Sequence, residues 1–176
     1  RPAGVFIYLD PNRYGGIPDV WMPVFERHNL IWVGPRVNER RQSGEKAIWH
    51  AVLGLRAVEG QYAVDLNRIY IGSARDTTAT ALKTALFANE IRGVVYIRGS
   101  AMWVTIGDDQ LEQIQRKRHV FITGTNDEAK DQVRSHYEAH KDAGVEHAKL
   151  IFDTRRIEEV PKAEHIDAAI RFLDGG

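Results

Sequence analysis

Ser73, Asp76 and Asp127 are the residues of this sequence whose type and position could support nucleophilic chemistry. Ser73 and Asp76 follow a short apolar run that ends at Gly72, and Asp127 follows another that ends at Gly124. A serine hydroxyl or an aspartate carboxylate can attack an acyl carbon when a neighbouring base or charge activates it. These side chains define a candidate hydrolytic site if the fold brings the ends of the two runs together.

Charged and conformationally restricted neighbours surround these candidates. Arg75 separates Ser73 from Asp76, and a guanidinium group stays protonated and cannot act as a nucleophile. Asp10 and Pro11 follow the first apolar run of the chain. Pro11 has no N–H to donate, and Asp10 places a negative charge at the end of that run. These residue types limit the backbone donors and set the charge near the candidate residues.

Apolar runs rich in β-branched and aromatic residues alternate with segments of helical periodicity. The runs predict strands at 5–9, 30–33, 68–72, 94–97, 120–124 and 148–152, and the periodic segments predict helices at 21–27, 44–59, 77–89, 108–116, 127–143 and 163–173. This alternation predicts a three-layer αβα fold with a mostly parallel sheet of about six strands. Sites of such folds lie beyond the carboxyl ends of the strands, where the candidate residues also stand.

The length and composition suit one domain with one core, spanning residues 1–176. Lys plus Arg and Asp plus Glu number 24 each, which gives no electrostatic reason to expect nucleic acid or a membrane as partner. The same neutrality allows a homo-oligomer. There is no cysteine, and no apolar run approaches the roughly 20 residues of a membrane helix. No Gly-rich loop opens a helix, so we expect no cofactor. Because the chain begins at Arg1, we expect a fragment or a processed product.

Several segments together resemble a known family. The segment Asp65-Leu-Asn-Arg-Ile-Tyr-Ile-Gly72 resembles the lead-in to the nucleophile of the α/β-hydrolase superfamily, in particular of feruloyl esterases and polyhydroxybutyrate depolymerase-like esterases. Segments 30–34, 120–127 and 165–175 resemble further parts of the same enzymes. The resemblance spans nearly the whole chain and starts at the family's third strand, so the usual first strands are missing. It implies a secreted or periplasmic protein.

The resemblance also assigns roles to individual positions. It places Arg75 where these hydrolases carry the serine of Gly-x-Ser-x-Gly, Glu158 at the position of the general base, and Asp127 at the position of the triad acid. Asp10 and Pro11 stand where the family has the His-Gly of the oxyanion segment. The alternative interpretation is structural: Asp76 or Thr77 caps one helix, and Asp127 caps another.

These observations predict a degenerate hydrolase-like domain that binds a small molecule or a protein, or serves as a structural module. The alternative is a carboxylic ester hydrolase with a displaced nucleophile, either Ser73 or Asp76. Trp103, at a strand end, is the candidate wall of a ligand pocket. We expect Arg75 to fill the old pocket and to pair with Asp127 or Glu158. We expect no metal site, and we interpret His136 and His140 as part of a solvated helix face.

Overall fold

The computed structural model of the protein describes residues 1–12, 14–35, 44–99, 107–154 and 160–176. Six strands form a sheet in which every pair of neighbours is parallel. The strands are β1 (Ala3–Leu9), β2 (Leu30–Val33), β3 (Val64–Ala74), β4 (Gly93–Ile97), β5 (Arg118–Gly124) and β6 (Ala148–Asp153). Their spatial order is β2-β1-β3-β4-β5-β6. The predicted parallel sheet is confirmed, and β3 is longer than its apolar run because Val64 pairs with Ala3 across a bulge.

Helices lie on both faces of this sheet, as the alternating pattern predicts. They are α1 (Met22–Arg27), α2 (Gly44–Glu59), α3 (Thr78–Phe87), α4 (Asp108–Gln115), α5 (Lys130–Asp142) and α6 (Ala163–Leu173). Short 3-10 turns at Asp19–Trp21 and Arg75–Thr77 lead into α1 and α3. In the part of the chain that is described, no helix has both the length and the apolarity needed to cross a membrane.

Two apolar cores flank the sheet, because successive strand residues point to opposite faces. On one face the aliphatic side chains of the central strands pack with α2, α3, α4 and α5. On the other face α1 and α6 cover an aromatic cluster. The cluster contains Phe6, Tyr8, Trp21, Phe25 and Trp32, whose ring centroids lie between 5.0 and 6.2 Å apart in the contacting pairs. Strand alternation thus fixes which side chains each helix layer covers.

Two of the segments that carry the family resemblance meet at the end of α6. Asp174 accepts hydrogen bonds from Nε and Nη2 of Arg68, both at 2.8 Å, and from the hydroxyl of Tyr70 at 2.7 Å. Burial raises the pKa of Asp174, but the hydrogen bonds from Arg68 and Tyr70 outweigh it and hold that pKa below its ordinary value. This carboxylate therefore ties the last helix to β3.

Candidate functional site

Arg75 stands at a sharp turn between β3 and the helix that follows it. The strand ends at Ala74, and Arg75 adopts the left-handed conformation with φ of 55° before the chain enters a 3-10 turn and α3. For a residue with a side chain this conformation costs about 1–2 kcal/mol. The strained turn exposes the Arg75 side chain beyond the carboxyl end of the sheet. We refer to residues 74–78 as the elbow.

Two threonine hydroxyls hold the elbow in place. The hydroxyl of Thr77 lies 2.7 Å from the carbonyl oxygen of Ala74 and 3.0 Å from that of Leu9, so it bridges two neighbouring strands. The hydroxyl of Thr78 donates to the carbonyl oxygen of Arg75 at 2.8 Å. Thr77 occupies the N-cap position of α3 without making a capping hydrogen bond. The predicted capping position is therefore confirmed for Thr77, but its hydroxyl is used between the strands and does not cap the helix, and Asp76 lies one residue earlier, within the 3-10 turn.

The elbow also requires a residue without a side chain at the end of β4. A Cβ atom added to Gly99 would lie 2.3 Å from the carbonyl oxygen of Arg75 and 2.9 Å from the side chain of Thr78. Such distances are far below van der Waals contact. Only glycine therefore allows the elbow to approach the neighbouring strand this closely.

The two candidate nucleophiles lie on either side of the elbow and in different environments. Ser73 belongs to β3, has 0% exposure and pairs in register with Leu9 and Tyr96. Its hydroxyl has no hydrogen-bond partner within the described ranges. Because Ile71, two residues earlier, belongs to the core under α2 and α3, Ser73 faces that core. Asp76 is exposed and stands directly after Arg75.

A cavity of about 510 Å³ lies beside the elbow. It is lined by Tyr8, Asp10, Pro11, Asn12, Tyr14, Gly16, Ile17, Pro18, Ala74, Arg75 and Val160. Burial raises the pKa of the Tyr8 hydroxyl, the negative charge of Asp10 raises it further, and the positive charge of Arg75 opposes the shift. The charges of Asp10 and Arg75 therefore both act on the hydroxyl of Tyr8. The prediction that Arg75 fills this space was wrong, since its side chain is exposed at the wall of an open cavity.

Asp10 organises the loop that follows β1. Its carboxylate accepts hydrogen bonds from the backbone N–H of Asn12 at 2.8 Å and from that of Tyr14 at 2.9 Å. Pro11, between them in the chain, has no N–H. The backbone N–H groups of Asn12 and Tyr14 therefore point at a carboxylate of the protein itself.

Asp127 is buried at the end of β5 and pairs with Arg98. Its side chain is 0% exposed, and its Oδ1 lies 3.1 Å from Nη2 of Arg98. Its Oδ2 accepts the backbone N–H of Gly124 at 2.8 Å. The helix that follows has Ala129 at its N-cap position, so the predicted cap at Asp127 was wrong. The carboxylate folds back onto its own strand instead.

The predicted partner of Arg75 was Asp127 or Glu158. Arg98 is the arginine that pairs with Asp127, and strand order explains why, whereas Glu158 lies outside the described residues and a pair with it stays a prediction. Neighbouring strands lie about 4.8 Å apart, so the end of β5 is roughly 10 Å from the end of β3. Arg98 follows β4, which lies between them, and its φ of 51° places it in the left-handed region. The nearer arginine neutralises the buried carboxylate.

Comparison with solved structures decides the fold. No protein-family model and no curated protein matches the sequence. S-formylglutathione hydrolase of Staphylococcus aureus superposes with a TM-score of 0.70 at 11% identity, covering 98% of this chain and 82% of that one. An esterase of Rhizomucor miehei gives 0.68 at 12% identity over 99% and 76% of the two chains. A ferulic acid esterase gives 0.66 at 13% identity over 99% and 86%.

The chain has the α/β-hydrolase fold. In that fold the nucleophile stands on a strained turn between a strand and a helix, above the carboxyl edge of the sheet. Arg75 occupies such a turn here. The fold prediction is therefore confirmed.

A carboxylate and an imidazole lie together at the end of β6. His165 Nδ1 is 3.3 Å from Oδ2 of Asp153, whose side chain is 2% exposed. Neither His165 nor Asp153 is among the candidate site residues predicted from the sequence, although His165 opens the segment 165–175 that carries part of the resemblance. The position of Asp153 as the last residue of an apolar strand was the available signal. Since β6 is three strand intervals from β3, or roughly 14 Å, this pair lies far from the elbow within the α/β-hydrolase sheet.

Some predicted site residues lie outside the described residues. These are Glu158, predicted at the position of the general base, and Trp103, predicted as a ligand wall. Both predictions remain untested.

His136 and His140 do not form the solvated face that their spacing on the helix suggested. They are 6% and 1% exposed, and the ring of His140 packs against those of His119 and Phe121 with centroids 4.9 and 4.8 Å apart. Nδ1 of His140 donates to the carbonyl oxygen of His136 at 2.7 Å. That prediction was wrong because this face of α5 covers the sheet. No cluster of three metal-binding side chains occurs in the described ranges.

Proposed function

We propose that this α/β-hydrolase-fold domain binds a small carboxylate-bearing molecule in the cavity beside the elbow and does not hydrolyse esters. The observation that carries the proposal is the left-handed backbone of Arg75, which sets a guanidinium group where this fold presents a nucleophile. A guanidinium stays protonated and has no lone pair to offer. It is, however, the side chain best suited to a carboxylate, through two parallel hydrogen bonds.

The surroundings of the elbow also oppose ester hydrolysis. The hydroxyl of Ser73 is enclosed under the helix layer, out of reach of a substrate. Asp10 takes up backbone donors of the loop after β1 and adds negative charge beside the cavity. An oxyanion requires the opposite, preorganised donors aimed at the developing charge.

The described residues that line the cavity favour a ligand with an apolar part. Ile17, Pro18 and Val160 contribute apolar surface, and Tyr8 adds an aromatic ring. Sites for small molecules combine such walls with a few fixed polar groups. Arg75 is the cation of this described wall and Asp10 its anion. The Asp10 carboxylate already accepts the backbone N–H groups of Asn12 and Tyr14, so we assign the carboxylate of an aryl or alkyl ligand to the Arg75 side of the cavity.

Binding can be tested with 3-phenylpropionate, titrated into the protein and followed by calorimetry. We expect saturable binding to the wild-type chain and a Kd at least tenfold higher for Arg75→Met. Arg116→Met is the matched control, because Arg116 is an exposed arginine after α4, and we expect it to bind like the wild type. Equal binding by Arg75→Met and wild type would show that the guanidinium does not hold the ligand.

Ester hydrolysis by a displaced nucleophile is the second candidate, favoured by the esterases that share this fold. A fluorophosphonate probe separates the two, since it forms a covalent bond only with an activated serine. We expect no mass increase of the intact protein. Labelling of the wild type that Ser73→Ala abolishes would establish the esterase instead.

A further inference from the structure

Lys117 lines a cavity at the amino edge of the sheet, the edge opposite the elbow. The residue lies between the end of α4 and the start of β5. The cavity has a volume of about 520 Å³ and is lined by Asn89, Ile91, Arg92, Asp109, Glu112, Gln113, Arg116 and Lys117. None of these residues lines the cavity beside the elbow, so the following inference is independent of the proposed function.

The amine of Lys117 is held in a fixed position with little access to solvent. The residue is 5% exposed, and Nζ donates to the carbonyl oxygen of Ile91 at 2.6 Å. Burial lowers the pKa of this amine to about 8, the charge of Arg92 lowers it further, and Glu90 opposes the shift. Near neutral pH a substantial fraction of this amine therefore carries a free lone pair, which an ordinary lysine with a pKa near 10.4 does not.

We propose that Lys117 reacts reversibly with carbon dioxide to form a carbamate. The lone pair of Nζ attacks the carbon of carbon dioxide and forms an N–C bond. One C=O π pair moves onto oxygen, and the nitrogen releases a proton to water. The product is a carbamate anion, and no oxidant or reductant takes part.

The cavity suits the product as well as the amine. A carbamate retains one N–H, which can still donate to the carbonyl oxygen of Ile91. Its two oxygens are anionic, and the nearby charge of Arg92 stabilises them. Oε1 of Gln113 is buried without a hydrogen-bond partner among the described residues, and a half-turn of that amide would present its NH₂ group.

Of the charged side chains around the cavity, Arg92 is the one that stabilises the carbamate, because the others are paired or exposed. Arg116 pairs with Glu112 along α4, and Glu90 pairs with Arg56 of α2. Asp109 is the remaining acid of the described lining, and it is exposed at the start of α4, where solvent screens it. The conversion of a buried cation into an anion thus takes place beside an arginine.

Trapping with a trialkyloxonium salt tests the proposal, because this reagent converts a carbamate into a stable ester that survives digestion. The folded wild-type protein is incubated with ¹³C-bicarbonate at about pH 7.5, trapped, and mapped by peptide mass spectrometry. We expect at least tenfold more ¹³C-carbamate ester at Lys117 than at Lys83, an exposed lysine of α3. The readout uses the wild-type chain, so it does not depend on a variant that folds.

Two variants serve as controls for the assignment. Lys117→Arg keeps the cation and removes the reactive amine, so the labelled peptide should disappear, whereas Lys83→Arg should leave it unchanged. Label spread evenly over Lys117 and Lys83, or an unlabelled Lys117 in the folded protein, would overturn the proposal.

Discussion

Arg98 and Asp127 form an ion pair across the ends of neighbouring strands, with 3.1 Å between Nη2 and Oδ1 and no exposure of the carboxylate. Removal of the cation leaves a buried negative charge without compensation. We therefore expect Arg98→Met to lower the free energy of unfolding by about 3 kcal/mol in urea titrations. Arg116→Met removes an exposed pair on α4 and should change it by less than about 0.5 kcal/mol. Equal effects of the two substitutions would contradict a buried ion pair.

Asp174 should contribute to stability through the contacts that hold α6 against β3. Asp174→Ala leaves Arg68, whose side chain is 11% exposed, and the hydroxyl of Tyr70 without their acceptor. We expect a loss of about 2–3 kcal/mol, measured by thermal or urea unfolding. Asp142→Ala, at the exposed end of α5, is the control and should stay within about 0.5 kcal/mol of wild type. A small loss for Asp174→Ala would mean that these hydrogen bonds add little beyond those to water.

Two buried histidines predict loss of stability in acid. His119 is 0% exposed; its Nε2 donates to the carbonyl oxygen of Ile114 at 3.0 Å, and its Nδ1 accepts from the hydroxyl of Tyr96 at 3.1 Å. Burial lowers the pKa of His119 to about 4, and burial together with the charge of His119 lowers that of His140 to about 3. In the unfolded chain both values return to about 6.5. At a pH between the folded and the unfolded pKa of each histidine, the unfolded state therefore binds more protons than the folded state.

The contribution of His119 and His140 to the free energy of unfolding should therefore be constant above about pH 6.5 and fall below it, by about 1.4 kcal/mol per pH unit for each histidine. His140→Met removes one of the two titrating rings and should reduce that slope by about 1.4 kcal/mol per pH unit in urea titrations between about pH 4 and 6.5. Leu53→Met, at an exposed position of α2 and without a titratable group, should leave the slope unchanged. An unchanged slope in His140→Met would mean that this ring is protonated in the folded protein.

The close approach at Gly99 predicts a steric requirement of the elbow. Gly99→Ala adds a methyl group 2.3 Å from the carbonyl oxygen of Arg75, so either the end of β4 or the elbow must move. We expect a loss of about 1–3 kcal/mol. Gly16→Ala, with no atom within 4 Å of the added carbon, is the control and should have little effect. A neutral Gly99→Ala would show that the elbow yields easily.

The sequence predicts the fold because each buried strand is a short apolar run bounded by polar or turn residues. It also identifies the position of Arg75, since that position depends only on the spacing from Arg68 to the end of β3. The partners of side chains are harder to predict, because they depend on strand order. Arg98 reaches Asp127 only because β4 lies between β3 and β5.

His140 shows a second limit of the sequence. Its spacing from His136 describes one face of a helix, and polar residues on that face suggested exposure to solvent. In the fold this face lies over β5, where the imidazoles pack among aromatic rings as neutral groups. A neutral imidazole can fill an interior position among aromatic rings, and periodicity alone does not reveal that.

Turnover of 4-nitrophenyl acetate tests most directly whether the elbow arginine has ended ester hydrolysis. The purified wild-type chain, Arg75→Ser, Ser73→Ala and Asp76→Asn are compared from about pH 5 to about pH 9. We expect all four proteins to release nitrophenol at the rate of the buffer alone. Saturable hydrolysis by the wild type that is lost in Ser73→Ala or in Asp76→Asn would contradict the account.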